Sequence, residues 1–261
     1  MRRAMLPAAL ALLAAPAFAQ EGPEDPPWNQ ADDTYGADAM AAARAHVQSH
    51  HGGQRWMQVM ADRLEWQSGD EETALWDLQG YYGGDLSRVW LKSEGEYGFG
   101  EDAVEDAEVQ LLYGRAISSY FDLQAGVRQD FEPDGRTYAV LGVQGLVPYF
   151  FELDAAAFLS DEGDLSARIE AEYDILLTQR LILQPRAEID LSASEVPERQ
   201  VGEGVASVSL GARLRYEVKR SFAPYVGVEW SVAPGESGAR TEAAGGESED
   251  TKLVAGVRAW F

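Results

Sequence analysis

The sequence predicts an all-β fold: a transmembrane, antiparallel, up-and-down β-barrel of about twelve strands behind a short disordered or helical N-terminal tail. Polar and apolar residues alternate from Trp56 to Phe261, which is the period of a strand with one apolar and one polar face. The connections between these segments are short and long in turn, as in outer-membrane barrels. Aromatic residues gather near the segment ends, as in the interfacial girdles of membrane proteins.

The first 19 residues predict a secretory signal peptide. Arg2 and Arg3 give a basic start, residues 6–15 form an apolar run, and residues 17–19 read Ala-Phe-Ala, a small-residue cleavage motif. The apolar run is shorter than the about 20 residues that a membrane-spanning helix needs. We therefore expect an exported protein and exclude residues 1–19 from the fold.

Residues 20–55 predict a periplasmic segment made of a linker and a helix. Residues 20–36 are rich in Pro, Asp and Glu, a composition typical of disorder. Residues 37–51 are rich in alanine and predict a helix that ends before two glycines.

About twelve alternating segments predict the strands of a barrel over residues 56–261. They start near Trp56, Thr73, Ser87, Asp106, Ser119, Arg136, Phe150, Leu165, Gln179, Gly204, Phe222 and Thr251. The longer, acidic connections are predicted at 98–105, 192–203 and 233–250. Pro185 falls inside the ninth segment, where a closed sheet has no free edge, so we expect either a bulge or a different strand boundary there.

A soluble barrel or sandwich also alternates, and it is the alternative interpretation. Three features favour lipid outside: segments of about 10 to 14 residues, close to a tilted membrane span; aromatic residues near the segment ends; and a closing alternating segment that ends in Phe261, similar to the terminal signal of outer-membrane barrels. The predicted girdle residues are Trp56, Trp66, Tyr81, Tyr82, Trp90, Tyr97, Tyr120, Phe121, Tyr149, Phe150, Phe151, Tyr225 and Trp230.

Composition excludes several classes of function. The formal net charge is −23, which argues against nucleic acid as a partner, because phosphate binding needs clustered Lys and Arg. The chain has no cysteine, so neither disulfides nor thiolate metal sites are expected.

If the apolar faces meet lipid, the charged faces meet in the lumen of the barrel. The predicted network there is Arg88, Glu94, Glu96, Asp122, Arg128, Glu152, Asp154, Arg168, Glu170, Glu172, Asp174, Arg186, Glu188, Arg213, Arg215 and Glu217. Two interpretations stay open. The charges pair and fill the barrel, or they line a narrow path for a hydrated or chelated cation.

Every histidine and methionine beyond the predicted signal peptide lies within residues 40–60. His46 and His50 are spaced to share one face of a helix. Imidazole and thioether together suit copper, with zinc and nickel as alternatives. The sequence therefore predicts copper ligands, bound as cargo, at His46, His50, His51, Met57 and Met60, with Met40 as a weaker candidate. The alternative is that the histidines are incidental and the methionines pack where the tail meets the barrel.

Catalysis is not predicted. A Ser–His triad needs a histidine in the folded body, and all three histidines precede the alternating segments. No phosphate-binding loop or metalloprotease motif is present.

Six segments carry a resemblance to a known family: DRLEW (62–66), YYGGDLSRVWLKSEGE (81–96), LLYGRAISSYFDLQAGVRQD (111–130), residues 140–191, LGARLRYEVKRSFAPYVGVEW (210–230) and VAGVRAWF (254–261). They resemble the copper resistance protein B family of outer-membrane proteins. The resemblance implies copper binding, a role in copper tolerance and periplasmic partners such as a multicopper oxidase. Gly114 stands where the family pattern has a serine, and the tail is shorter than the Met- and His-rich region that members often carry.

We therefore expect a copper-binding protein in the outer membrane of a Gram-negative bacterium, with its tail in the periplasm. The tail captures copper, and the acidic barrel passes it through or hands it off. The alternatives are a barrel that docks a periplasmic multicopper oxidase, and a passive porin.

Overall fold

The computed structural model describes residues 29–51, 54–100, 102–149 and 151–261. The predicted signal peptide and the first part of the predicted linker lie outside these residues. The chain divides into two units, Met1–Gly53 and Gln54–Phe261.

The described part of the first unit is helical. Helix α2 spans Ala37–His51 and confirms the predicted helix. Residues assigned to the linker instead form a short helix, α1, over Asp32–Tyr35. An ion pair of 2.6 Å between Arg44 and Asp32 joins the two helices. The hydrogen bond from Arg44 also holds the pKa of the Asp32 carboxyl below its usual value.

The second unit is a closed antiparallel barrel. Its strands are β1 Trp56–Ser68, β2 Glu72–Gly83, β3 Ser87–Gly98, β4 Ala103–Ala116, β5 Phe121–Glu132, β6 Thr137–Val147, β7 Phe151–Ser160, β8 Leu165–Glu172, β9 Ile175–Leu176, β10 Leu181–Ser192, β11 Gly204–Tyr216, β12 Phe222–Val232 and β13 Glu249–Trp260. Neighbours in sequence pair, and β13 pairs with β1 to close the ring. Because β8 and β9 both pair with β10 in one strand position, the barrel has the predicted twelve positions.

Pro185 explains why one strand is split in two. It lies inside β10, which pairs with β8 and β9 in a single register, so this described stretch contains no bulge. The Pro185 carbonyl accepts a hydrogen bond of 3.2 Å from the Tyr173 amide, but proline has no N–H to donate in return. The ladder is therefore interrupted at Tyr173 and Asp174, and the barrel still closes.

Strand β1 carries one extra residue. Its register shifts after Ala61 against both of its neighbours, β2 and β13. Such a bulge changes the direction in which side chains point. Met60 and Asp62 line the lumen, and Arg63 is buried there as well, although a regular strand would turn Arg63 to the outer face.

The outer face of the barrel is apolar. Its exposed side chains include Leu91, Leu111, Val127, Leu141, Ile169 and Leu210. Several predicted girdle residues are exposed, among them Trp56, Trp66, Tyr82, Tyr120, Tyr149 and Phe151. Phe150 lies outside the described residues. Among the described residues, no helix has both the length and the apolar character needed to cross a bilayer.

Three aromatic residues predicted for the girdles face the lumen instead. Trp90 is only 8% exposed and packs against Tyr81 with ring centroids 4.8 Å apart. The Tyr225 hydroxyl donates a hydrogen bond of 3.0 Å to Glu65. The prediction was wrong because it used nearness to a strand end and ignored the face on which each residue alternates.

The connections define two ends of the barrel. The predicted short turns lie at one end, which we call the short-turn end. At the other end, the long-loop end, the connection predicted at 98–105 is only four residues, 99–102, because β3 and β4 extend into it. Residues 193–203 and 233–248 are the two long connections.

We predict that Leu141→Arg destabilises the barrel by about 2–4 kcal/mol, the cost of a cation at the bilayer midplane. Leu141 is exposed in the middle of β6. Unfolding by urea in lipid vesicles measures the loss. The control is Leu165→Arg at the first residue of β8, where we expect about 0–1 kcal/mol because the site is near the interface. Equal losses would contradict a lipid-facing outer surface.

Candidate functional site

Ion pairs cross the middle of the lumen. Glu94 of β3 accepts hydrogen bonds from Arg63 of β1 at 2.7 Å and from Arg168 of β8 at 3.0 Å. Arg168 also lies 3.5 Å from Glu108 of β4 and 3.1 Å from Asp190 of β10. These contacts join strands on opposite sides of the barrel, so charged side chains bridge the lumen at this level.

A second group surrounds Arg186 of β10. Its guanidinium lies 2.9 Å from Glu170 and 3.4 Å from Glu229, and it also contacts Glu188. The Arg186 side chain is almost completely buried. One cation is thus shared by carboxylates from three strands, β8, β10 and β12.

Arg213 of β11 links this group to β1. It binds Glu65 at 2.5 Å and Glu229 at 2.8 Å. Glu65 is buried and also accepts hydrogen bonds from Tyr225 at 3.0 Å and Gln67 at 2.9 Å. Burying a charge costs several kcal/mol unless it is paired and hydrogen-bonded, and Glu65 meets both conditions.

The predicted lumen residues take the following positions. Arg88 faces Asp122 at 3.8 Å, Lys92 binds Asp154 at 2.5 Å, Lys252 binds Glu96 at 2.8 Å, Arg128 binds Glu108 at 2.7 Å, and Arg215 binds Asp174 at 2.6 Å. Glu152 and Glu172 line the cavity described below. Glu217 lies just beyond β11 and is half-buried.

The predicted network omitted Asp62, Arg63, Glu65 and Asp77. The first three lie in β1, where the bulge shifts the alternation by one residue. Arg63 binds Asp77 at 3.1 Å, so the omitted residues belong to the same network. For the three residues in β1, only their charge indicated a place in the lumen, because the sequence does not show the bulge. Asp77 lies in β2.

A cavity of about 670 Å³ occupies the short-turn half of the lumen. One part of its wall is aromatic and aliphatic and includes Trp90 and Phe158. The rest is polar, with eight acidic side chains against four basic ones. Glu152 lies toward the short-turn end and is exposed. Arg63, Arg128 and Arg186 pair with some of these carboxylates from beside the cavity. Carboxylates still outnumber the cations, which makes the cavity attractive to cations.

The connection 193–203 closes over the opposite end of the lumen. It contains a 3₁₀-helix, η1, over Pro197–Arg199. Arg199 reaches across to Asp130 of β5 at 2.7 Å and donates to the Asp134 carbonyl at 2.9 Å. Asp130 is completely buried and is also bound by Arg128.

The connection 233–248 packs against the first one. It contains helix α3, Gly235–Ala244. The Gly202 amide donates a hydrogen bond of 2.9 Å to Ser237, which is buried. Arg240 binds Glu195 at 2.8 Å. The two long connections together form a cap on the long-loop end.

The three histidines lie on α2. The rings of His46 and His50 are 4.1 Å apart, and His50 Nδ1 lies 2.9 Å from the His46 carbonyl oxygen. His51 is exposed at the end of the helix. Within the described residues, no three His, Asp or Glu side chains converge as a preformed metal site.

The predicted methionine ligands lie in different places. Met40 is on α2. Met57 is 74% exposed near the start of β1, whereas Met60 lines the lumen cavity. The structure thus places Met60 apart from Met57, and their roles as copper ligands stay predictions.

The second unit defines a β-barrel of the outer-membrane type with a charged lumen. The solved structure of the NanC porin has a similar fold, with a TM-score of 0.51 at 11% identity, covering 78% of this chain and 99% of that one. The model of the family "Copper resistance protein B precursor (CopB)" matches residues 55–261. The chain therefore belongs to the copper resistance protein B family, and its role is in copper resistance.

Two relatives support this assignment. Copper resistance protein B of Escherichia coli is 44% identical over 205 residues, which are 78% of this chain and 69% of that protein. The copper resistance protein B homolog of Pseudomonas syringae pv. tomato is 42% identical over 228 residues, 84% of this chain and 77% of that protein.

We predict that Arg213→Ala destabilises the barrel by about 3–5 kcal/mol, because it leaves the buried Glu65 carboxylate without its cation. Urea unfolding measures the loss. Adding Glu65→Gln to this variant should recover part of it, since the uncompensated charge is then gone. Arg240→Ala in the solvent-screened cap is the control, with a much smaller expected loss. A loss at Arg213 no larger than at Arg240 would contradict the buried network.

Proposed function

We propose that the protein resides in the outer membrane, exposes its tail and the short-turn end of its barrel to the periplasm, and captures copper there as cargo. The observation that carries this proposal is the acid-rich cavity in the short-turn half, which contains the Met60 thioether. Carboxylates attract a cation, and a thioether favours Cu(I) among the available metals. Membership of the copper resistance protein B family supports copper as that cation.

The tail supplies the first ligands in this proposal. The tilted rings of His46 and His50 lie with their centroids 4.1 Å apart, close enough for both imidazoles to reach one ion, and the Ser49 hydroxyl lies 2.9 Å from His50 Nδ1. His51 is the next residue along and is exposed. Neutral imidazole binds copper in either oxidation state. Met57 and Met40 add thioethers in the same part of the sequence.

Hand-off of copper is better supported than free passage. The ion pairs around Arg168 bridge the middle of the lumen, and the cap anchored by Arg199 covers the long-loop end. A passive porin needs a continuous aqueous path along the lumen. The two groups of contacts cross that path at two successive levels. The proposal includes no catalysis, because all three histidines precede the barrel.

A docking barrel for a periplasmic multicopper oxidase is the second candidate. The same contacts across the lumen favour it, since a docking protein needs no open path. Capture and docking are compatible when the oxidase receives copper from the tail.

We predict that replacing His46, His50 and His51 together by alanine weakens copper binding at least tenfold, about 1.4 kcal/mol. Titration of the purified protein in detergent with Cu(I) and with Cu(II) measures the affinity. Alanine keeps the helix, so the loss reports the imidazoles. The matched control is Val47→Ala with Gln48→Ala on the same helix. Equal affinity of wild type and triple variant would remove the tail from the mechanism.

We predict that the reconstituted wild-type protein shows no steady conductance in symmetrical potassium chloride, because both closures persist. The double variant Arg168→Gln with Arg199→Ala removes one arginine, with all of its ion pairs, from each closure, and we expect it to conduct. Planar bilayer recording tests both. A steady, ohmic conductance of the wild type would favour the passive porin over capture and hand-off.

A further inference from the structure

Strand β1 places a thioether and a carboxylate together on the inner wall of the barrel, because residues two apart in a strand share a face. Met60 precedes the extra residue and Asp62 is at the bulge, and both line the cavity. In the described part of the barrel, the other methionine, Met57, is exposed. The lumen thus holds a soft donor, Met60, close to an acidic one.

A cation of the protein already occupies this position. Arg258 of β13 places Nη2 3.0 Å from Asp62 Oδ1 and 3.9 Å from Met60 Sδ. The guanidinium is only partly buried. It therefore sits at the edge of the cavity, where a side chain with four rotatable bonds has room to move.

The surroundings carry more negative charge than Arg258 neutralises. Its guanidinium interacts electrostatically with Asp62 and with Glu152, Glu172 and Asp174. Arg215 binds Asp174 at 2.6 Å, and Arg186 lies 3.6 Å from Glu172. Among the described residues, Glu152 makes no ion pair with an arginine or a lysine. The four carboxylates can therefore accept one more positive charge.

The side-chain oxygen of Gln79 is a further potential metal ligand. Gln79 lines the cavity, and its amide nitrogen donates to Asp62. Its amide oxygen, Oε1, is buried and makes no hydrogen bond in the described structure. A buried acceptor without a donor is costly, and a metal cation would satisfy it.

We propose that Met60, Asp62 and Gln79 form a luminal binding site for a soft metal cation, which exchanges with the Arg258 guanidinium. The thioether selects a soft ion such as Cu(I), and the two oxygens add charge and coordination. Arg258 fills the site in the absence of metal and swings toward Glu152 when metal binds. This inference rests on copper as the cargo of the proposed function, and it adds the place where the barrel receives it.

The exchange requires two neighbouring substitutions to act in opposite directions. Met60→Leu removes the soft donor and keeps the volume, so it weakens metal binding. Arg258→Gln removes the competing cation, so it strengthens metal binding. If Met60 and Arg258 only supported the fold, both Met60→Leu and Arg258→Gln would weaken metal binding.

The experiment uses the full chain with His46, His50 and His51 replaced by alanine, so that the histidines of the tail do not bind the metal. Ag(I) is the probe, because it is soft, monovalent and does not change oxidation state under these conditions. Equilibrium dialysis with metal analysis gives the affinity. We expect Met60→Leu to bind at least tenfold more weakly, Arg258→Gln several-fold more tightly, and Met57→Leu as the parent does. Arg258→Lys restores the competing charge and should return the affinity toward the parent.

Equal Ag(I) affinity of the parent and Met60→Leu would overturn the luminal site, and so would weaker binding by Arg258→Gln when Arg258→Lys is normal. Tight binding of Ca²⁺ at the same place, unaffected by Met60→Leu, would also overturn it. The wild-type chain measured in parallel separates the two proposals. Equal binding by wild type and triple variant counts against the tail, whereas equal binding by the triple variant and its Met60→Leu derivative counts against the lumen.

Discussion

The structure depends on one constraint: an apolar outer wall leaves the charged faces of twelve strand positions to neutralise one another inside a narrow lumen. A buried charge is tolerated only with a partner and with its remaining hydrogen bonds satisfied. Arg168 shows how this is met, since it contacts carboxylates of β3, β4 and β10 at once. The barrel therefore needs this charged network in order to fold, whatever function the network also has.

Pairing is not uniform along the barrel axis. Toward the long-loop end, Asp130 is completely buried and held by Arg128 and Arg199. In the short-turn half, carboxylates outnumber cations around a cavity of about 670 Å³. Charged side chains thus pack tightly against one another in the long-loop half, and they form a surface that attracts cations in the short-turn half. The difference lies in how completely arginines and cap residues reach each carboxylate.

The sequence predicted the class of fold and the strand starts closely, because alternation is a local property that extends over every strand. It predicted the two long connections at 192–203 and 233–250, but not that they form a cap, since Arg199 and Asp130 are far apart in sequence. It also placed Trp90 and Tyr225 in the girdles, because position near a strand end does not reveal the face. Contacts across the lumen depend on the register in which the strands pair, and this register cannot be read from a single sequence.

The extra residue in β1 has a larger effect than its size suggests. In a strand of period two, a lumen-facing Met60 would turn Arg63 and Glu65 toward lipid. The bulge after Ala61 changes the parity, so Met60 and Asp62 face inward on one side of it, and Arg63 and Glu65 face inward on the other. One strand thereby supplies a soft donor to the cavity and a buried carboxylate to the central network. A regular strand could supply only one of these, so the insertion connects the part of the lumen where we propose that a cation binds to the part that holds the barrel together.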